Sequence, residues 1–145
     1  MAGGTSMYQV IKIESFERTR RLVLKNICTG TEDICFDDSA VVSNVNFSFI
    51  QLDECYNCKI KLFGKIVEEP DMFSVLCKNL GEIVVGKKTM IKVLIQSDEY
   101  YIPKSMDNKT MDEFYYSYSR KDLIQVDETI HADYLKQSYM PRGVI

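Results

Sequence analysis

Tryptophan is absent, histidine occurs once (His131), and proline only three times in 145 residues. A single imidazole excludes a multi-histidine metal centre, and no complete catalytic signature runs through the chain. No apolar stretch approaches the ~18 residues of a membrane-spanning helix. Neither sign of charge dominates: 18 Lys+Arg stand against 21 Asp+Glu, a net −3. That balance excludes a bulk electrostatic binder of nucleic acid or anionic membrane. Hydrophobic residues make up 46% and charged residues 27%, which excludes a disordered or fibrous chain. The length favours one domain, with apolar content for one sizeable core or two small ones.

Residues 1–6 are small and read as an added leader, with Met7 as the native start. Met7 leads straight into strand-like sequence, with no signal peptide, so the expected location is the cytoplasm. The five cysteines (Cys28, Cys35, Cys55, Cys58, Cys77) are odd in number, which argues against a disulfide framework and for free thiols. The excess of Lys over Arg, with frequent Ile, hints at a bacterial source.

What is there is mostly β pattern. Residues 8–13 and 21–27 are rich in β-branched and aliphatic side chains. Thr29-Gly30-Thr31 supplies a turn into Glu32–Phe36, a hairpin. Asp37-Asp38-Ser39 signals a helix start, so a short helix is expected over 40–45. Phe47, Phe49 and Leu52 are expected to resume a strand. Cys58, Ile60 and Leu62 alternate with Lys59 and Lys61, and Gly64 marks a bulge or bend in the strand running to Val67. The charged, proline-broken stretch Glu68–Asp71 divides a half at 7–69 from a meander at 70–145, and the two can share a single domain. In the second half, strands are expected over 73–77, 82–85, 89–95 and 100–102, with turns at 79–81, 86–87 and 97–99. The aromatic run 114–118 is preferred as a strand over the helix that Thr110–Glu113 could cap. Residues 123–126 form one more strand, and Asp127 caps a final helix carrying Ile130, Tyr134 and Leu135.

The expected fold is mainly β: a small antiparallel barrel or a sandwich, with hairpin and meander connections and one or two short helices. The order over 7–69 (bent first strand, Thr-Gly hairpin, short helical linker, Gly-kinked strand) resembles that of an OB-type barrel. The resemblance is to strand order alone and carries no function with it.

Four constellations are weighed for chemistry. Cys55-Tyr56-Asn57-Cys58 is a C-x-x-C, but no second pair of ligands accompanies it and Cys58 enters a strand, so free thiols are expected. His131-Ala132-Asp133 offers a histidine near carboxylates without a placed nucleophile, and a structural histidine is the expectation. Arg18, Arg20 and Arg21, beside Phe16, join Lys59, Lys61 and Lys65 as a stripe of the kind that holds single-stranded nucleic acid. Tyr100, Tyr101, Tyr115, Tyr116 and Tyr118 lie in strands, and alternation turns one member of each pair outward as a protein-binding surface. Neither a cofactor nor a metal is expected. The first expectation is a non-enzymatic cytoplasmic binding protein engaging another protein, an inhibitor or immunity-type protein being one example. The second is an OB-like module for single-stranded nucleic acid.

Overall fold

The computed structural model describes residues 6–104 and 111–136. It is mainly β, one nine-stranded sheet whose hydrogen bonding returns on itself. The strands are β1 (Ser6–Ser15), β2 (Arg20–Asn26), β3 (Glu32–Asp37), β4 (Cys55–Val67), β5 (Ser74–Val85), β6 (Lys88–Ile95), β7 (Asp98–Pro103), β8 (Glu113–Val126) and β9 (Thr129–Ile130). One helical turn, α1 (Ser39–Val42), follows β3, and a 3₁₀ turn at Ala132–Tyr134 follows β9. Among the described residues no helix is long and apolar enough to cross a membrane.

The longest ladder joins β4 to β8, from Cys58↔Val126 to Val67↔Tyr115. Through it the pairing closes two rings, β1-β2-β3-β8-β4 and β4-β7-β6-β5-β8. The first ring contains the bent β1, the Thr29-Gly30 hairpin, the short helix and the kinked β4 on which the OB-like resemblance rests. It is completed by β8, whose parallel contact with β3 is the single pair Phe36↔Asp122. Both rings enclose one apolar cluster, which runs from Tyr8, Leu22 and Leu24 through Ile60 and Leu62 to Val93, Ile102 and Leu123. A second cluster of Val85, Met90, Tyr101, Ile124 and Tyr134 covers another side of the sheet.

Gly64 lets the ladder bend. The β4–β8 register slips between Phe63 and Gly64, and a Cβ there would collide with the Ser117 carbonyl and lie 2.6 Å from Tyr118 Cα. The expected bend is therefore a bulge at which two backbones meet too closely for any side chain.

Several local expectations are corrected. Residues 43–54 form no strand. Ser43 and Asn46 accept from the Val45 and Ser48 amides (3.0 and 2.9 Å), and such local bonds compete with a ladder. The 79–81 turn is a bulge inside β5: Gly81 takes φ 109, and its amide donates to Asn79 Oδ1 at 2.7 Å. The turn expected at 97–99 lies at Gln96-Ser97, with Gln96 at φ 56. Residues 123–126 are the end of the 14-residue β8, not a separate strand. The final helix is replaced by a hairpin and a 3₁₀ turn. Asp127 (φ 51) turns the chain there, with its Oδ1 accepting from the Asn57 amide at 2.9 Å and its own amide donating to the Asn57 carbonyl at 2.7 Å.

Replacing Gly64 with Ala forces the β4–β8 backbones apart and is expected to cost about 2 kcal/mol or more. Gly30→Ala puts a Cβ into open space and pays only for φ 81, about 1 kcal/mol. Urea unfolding of both variants checks the order; equal losses would contradict it.

Candidate functional site: an aromatic–arginine band

The five strands of the first ring bring one residue each into a continuous row: Glu14, Arg21, Phe36, Asp122 and Lys61. β3 turns Asp33, Cys35 and Asp37 inward, which leaves Ile34 and Phe36 on the outer side. Cations and rings interleave along this row. The Arg21 guanidinium lies 5.3 Å from the Phe16 ring centre, and Lys61 Nζ lies 5.5 Å from that of Phe63. Arg120 sits between two rings, 4.9 Å from Phe36 and 4.7 Å from Phe63. Each such contact is worth ~0.5–1 kcal/mol at an exposed site.

Both guanidiniums also hold a carboxylate. Arg21 donates to Glu14 at 2.8 Å, and Arg120 grips Asp122 through Nε and a terminal nitrogen. The hydrogen bond to Asp122 raises the Arg120 pKa against the opposing effect of burial. The band thus presents flat apolar area beside two guanidiniums that each hold one carboxylate. Exposed apolar residues extend it: Ile34 (58%), Phe63 (47%) and Phe73 (67%).

Two hollows flank Arg120. One, of about 610 Å³, is lined by Phe63, Gly64, Lys65, Phe73 and the Ser117–Ser119 stretch of β8. The other, of about 480 Å³, opens between β3 and β8 and is lined by Arg21, Glu32, Ile34, Phe36, Tyr118, Arg120 and Lys121 among others. Behind its wall Lys121 and Tyr100 both donate to the buried Asp33 carboxylate, Tyr100 at 2.8 Å. Burial pulls the Lys121 ammonium down, but the hydrogen bond and charge of Asp33 outweigh it and hold it raised. This clasp ties β3, β7 and β8 together.

The residues expected to form a basic stripe divide by role. Arg20 is structural: it donates to Asp37 (2.9 Å) and to the Phe47 carbonyl (2.6 Å), fixing the 43–54 loop against β3. Arg18 is exposed, with a long 3.5 Å contact to the Val41 carbonyl. Lys59 donates to Gln125 at 2.9 Å, and burial lowers the Lys59 and Lys61 ammoniums. Lys65 lines the Phe63–Phe73 hollow. Arg21 and Lys61 alone belong to the row.

The tyrosine surface is corrected in part. Tyr100, Tyr101 and Tyr116 are buried, and Tyr115 and Tyr118 are half-buried. Alternation holds, since Tyr100 enters the main core and Tyr101 points the other way. The second cluster covers that other face, so Tyr101 does not reach water.

Cys55 and Cys58 lie on a strand, where residues three apart point to opposite faces about 10 Å along the chain. Cys55 is exposed and Cys58 buried, and among the described residues no group of three or more His, Cys, Asp and Glu is placed to hold a metal ion. Both nitrogens of His131 are occupied. Nδ1 accepts from the Asp133 amide at 3.1 Å, which leaves the Nε2 hydrogen to donate to Asp38 at 2.7 Å. The ring is buried and pins the 3₁₀ turn to the start of α1.

Arg120, Phe36 and Phe63 carry no signal in the sequence that marks them as site residues. Arg120 falls between the two stretches expected as separate strands, so alternation was not carried through it to Lys61.

Burial pushes the Cys58 and Cys77 thiols up to about 12 and raises that of Cys35 as well. At pH about 8 an aromatic disulfide reagent is therefore expected to modify Cys28 and Cys55 alone, and all five thiols after unfolding. A third thiol reacting in the native state would contradict the packing. Burial likewise raises the phenols of Tyr8, Tyr100, Tyr101 and Tyr134, and that of Tyr116 to about 12. A raised phenol pKa favours the folded state below its ordinary value of 10.0, and this stability is lost as pH climbs towards the folded value. The urea midpoint is expected to fall steeply above pH about 10, with tyrosinate absorbance rising in step with unfolding; full ionisation of a still-folded chain would contradict it. No known protein family, curated protein or solved structure matches the chain, so its functional reading rests on this band alone.

Proposed function

We propose that the protein is a non-enzymatic binding protein whose partner is another protein, held over the aromatic–arginine band. The observation that carries this is Arg120, stacked between Phe36 and Phe63, with exposed Phe73 lining the same hollow as Phe63. Protein-binding hot spots favour arginine and aromatic side chains held rigid among apolar neighbours, with paired charges at the rim. Stacking already restrains Arg120, so little entropy remains to be lost on binding. An inhibitor or immunity-type role is one example of such binding.

A second reading, a module for single-stranded nucleic acid, draws on the same interleaving of rings and cations with Arg18, Arg21, Lys61 and Lys65. It needs ring faces that are free for bases to stack on. Arg120 already covers a face of Phe36 and one of Phe63.

The two readings separate by capture and by salt. Immobilised protein is expected to retain one defined protein from its source cells at about 0.5 M salt, and Phe63→Ser or Phe73→Ser to weaken the complex about tenfold or more without unfolding the chain. A uridine oligonucleotide is expected not to bind at physiological salt. Oligonucleotide binding that falls steeply with salt, with no protein retained, would replace the first reading with the second.

A further inference from the structure

The strands on either side of the 480 Å³ hollow are open edges. β8 leaves β5 at Ser117 and meets β3 only at Asp122, so no described strand pairs with residues 118–121 on that side. β3 faces β8 with residues 32–35, and among the described residues its only pair there is Phe36. The two strands diverge from that pair as a wedge. Unpaired backbone donors and acceptors along such edges are satisfied by water or by another strand.

The walls of the wedge carry a charge. Arg21, Arg120 and Lys121 line it, against Glu32 alone. The carboxylates that hold these cations, Glu14, Asp122 and Asp33, do not line the hollow. Lys121 spends one of its three hydrogens on Asp33, and its ammonium stands 5.5 Å from the Tyr118 ring and 5.6 Å from that of Tyr100.

From the open edges and the cation-lined wall we infer that the β3–β8 wedge receives an extended segment of the partner, which pairs along residues 32–35 of β3 and sets acidic side chains against Arg120 and Arg21 on the outer face. The inference rests on the protein-binding reading and specifies its geometry: strand addition supplies the main-chain bonds, and alternate acidic side chains supply selection.

The test uses the full chain and random octapeptides displayed on phage. Selected peptides are expected to carry Asp or Glu at alternate positions, to slow hydrogen exchange at amides within 32–35 and 118–121, and to bind about tenfold more weakly to Arg120→Gln. Arg120→Gln keeps an exposed polar side chain and leaves the Asp33–Lys121 clasp intact, so thermal unfolding serves as its control. Neutral or basic consensus peptides, protection elsewhere on the sheet, or no enriched peptide would each overturn the inference. A captured protein that is lost with Phe73→Ser but leaves those amides unprotected overturns it while the protein-binding reading stands.

Discussion

The β4–β8 ladder is the constraint on which the other elements depend. Each ring of strands closes through it, and neither closes without it. Its formation brings together residues some 50 to 70 positions apart, so the entropy of closing those loops is met late, by non-local contacts. Inward side chains of both strands, Ile60 and Leu62 on one and Leu123 and Val126 on the other, then seal the shared core. The bulges within the ladder let two long strands curve enough to serve both rings.

Buried polar groups tie the remaining strands to this frame. Asp33 fastens β3 to β7 and β8 through Tyr100 and Lys121. Asp98 accepts from the Thr29 and Thr31 hydroxyls at 2.7 Å each, which joins the β2–β3 turn to the start of β7. Asp37 accepts from the Ser39 amide and hydroxyl at the start of α1 and holds Arg20. No buried side-chain nitrogen or oxygen among the described residues lacks a partner. Such networks are costly when half satisfied, so they restrict the chain to one arrangement of strands. Across the wedge between β3 and β8 this clasp joins the strands where no ladder does among the described residues.

Most of the fold is legible in the sequence where alternation is clean. Cys58–Leu62 declares its inward face, Gly64 its bend, and Thr29-Gly30-Thr31 its hairpin. Where the pattern depends on distant partners, legibility fails. Nothing local shows that Asn79-Leu80-Gly81 continues a strand, because a bulge and a turn share the same residues and differ only in the ladder beside them. Asp127 reads as a helix cap but is claimed by Asn57, 70 positions away. The site is less legible than the fold. Tyr101 alternates as expected, yet the second cluster that buries it is assembled from β5, β6, β8 and the 3₁₀ turn. Arg120 gains its significance only when Phe36 and Phe63 arrive from two other strands.

Native-state hydrogen exchange along a urea series measures the dependence on the ladder directly. The amides of Ile60, Leu62, Leu123 and Val126 are expected to be among the slowest and to exchange only through global unfolding, with the full urea dependence of that transition. Exchange of these four through a smaller opening, while β1–β3 or β5–β7 stays protected, would contradict the account.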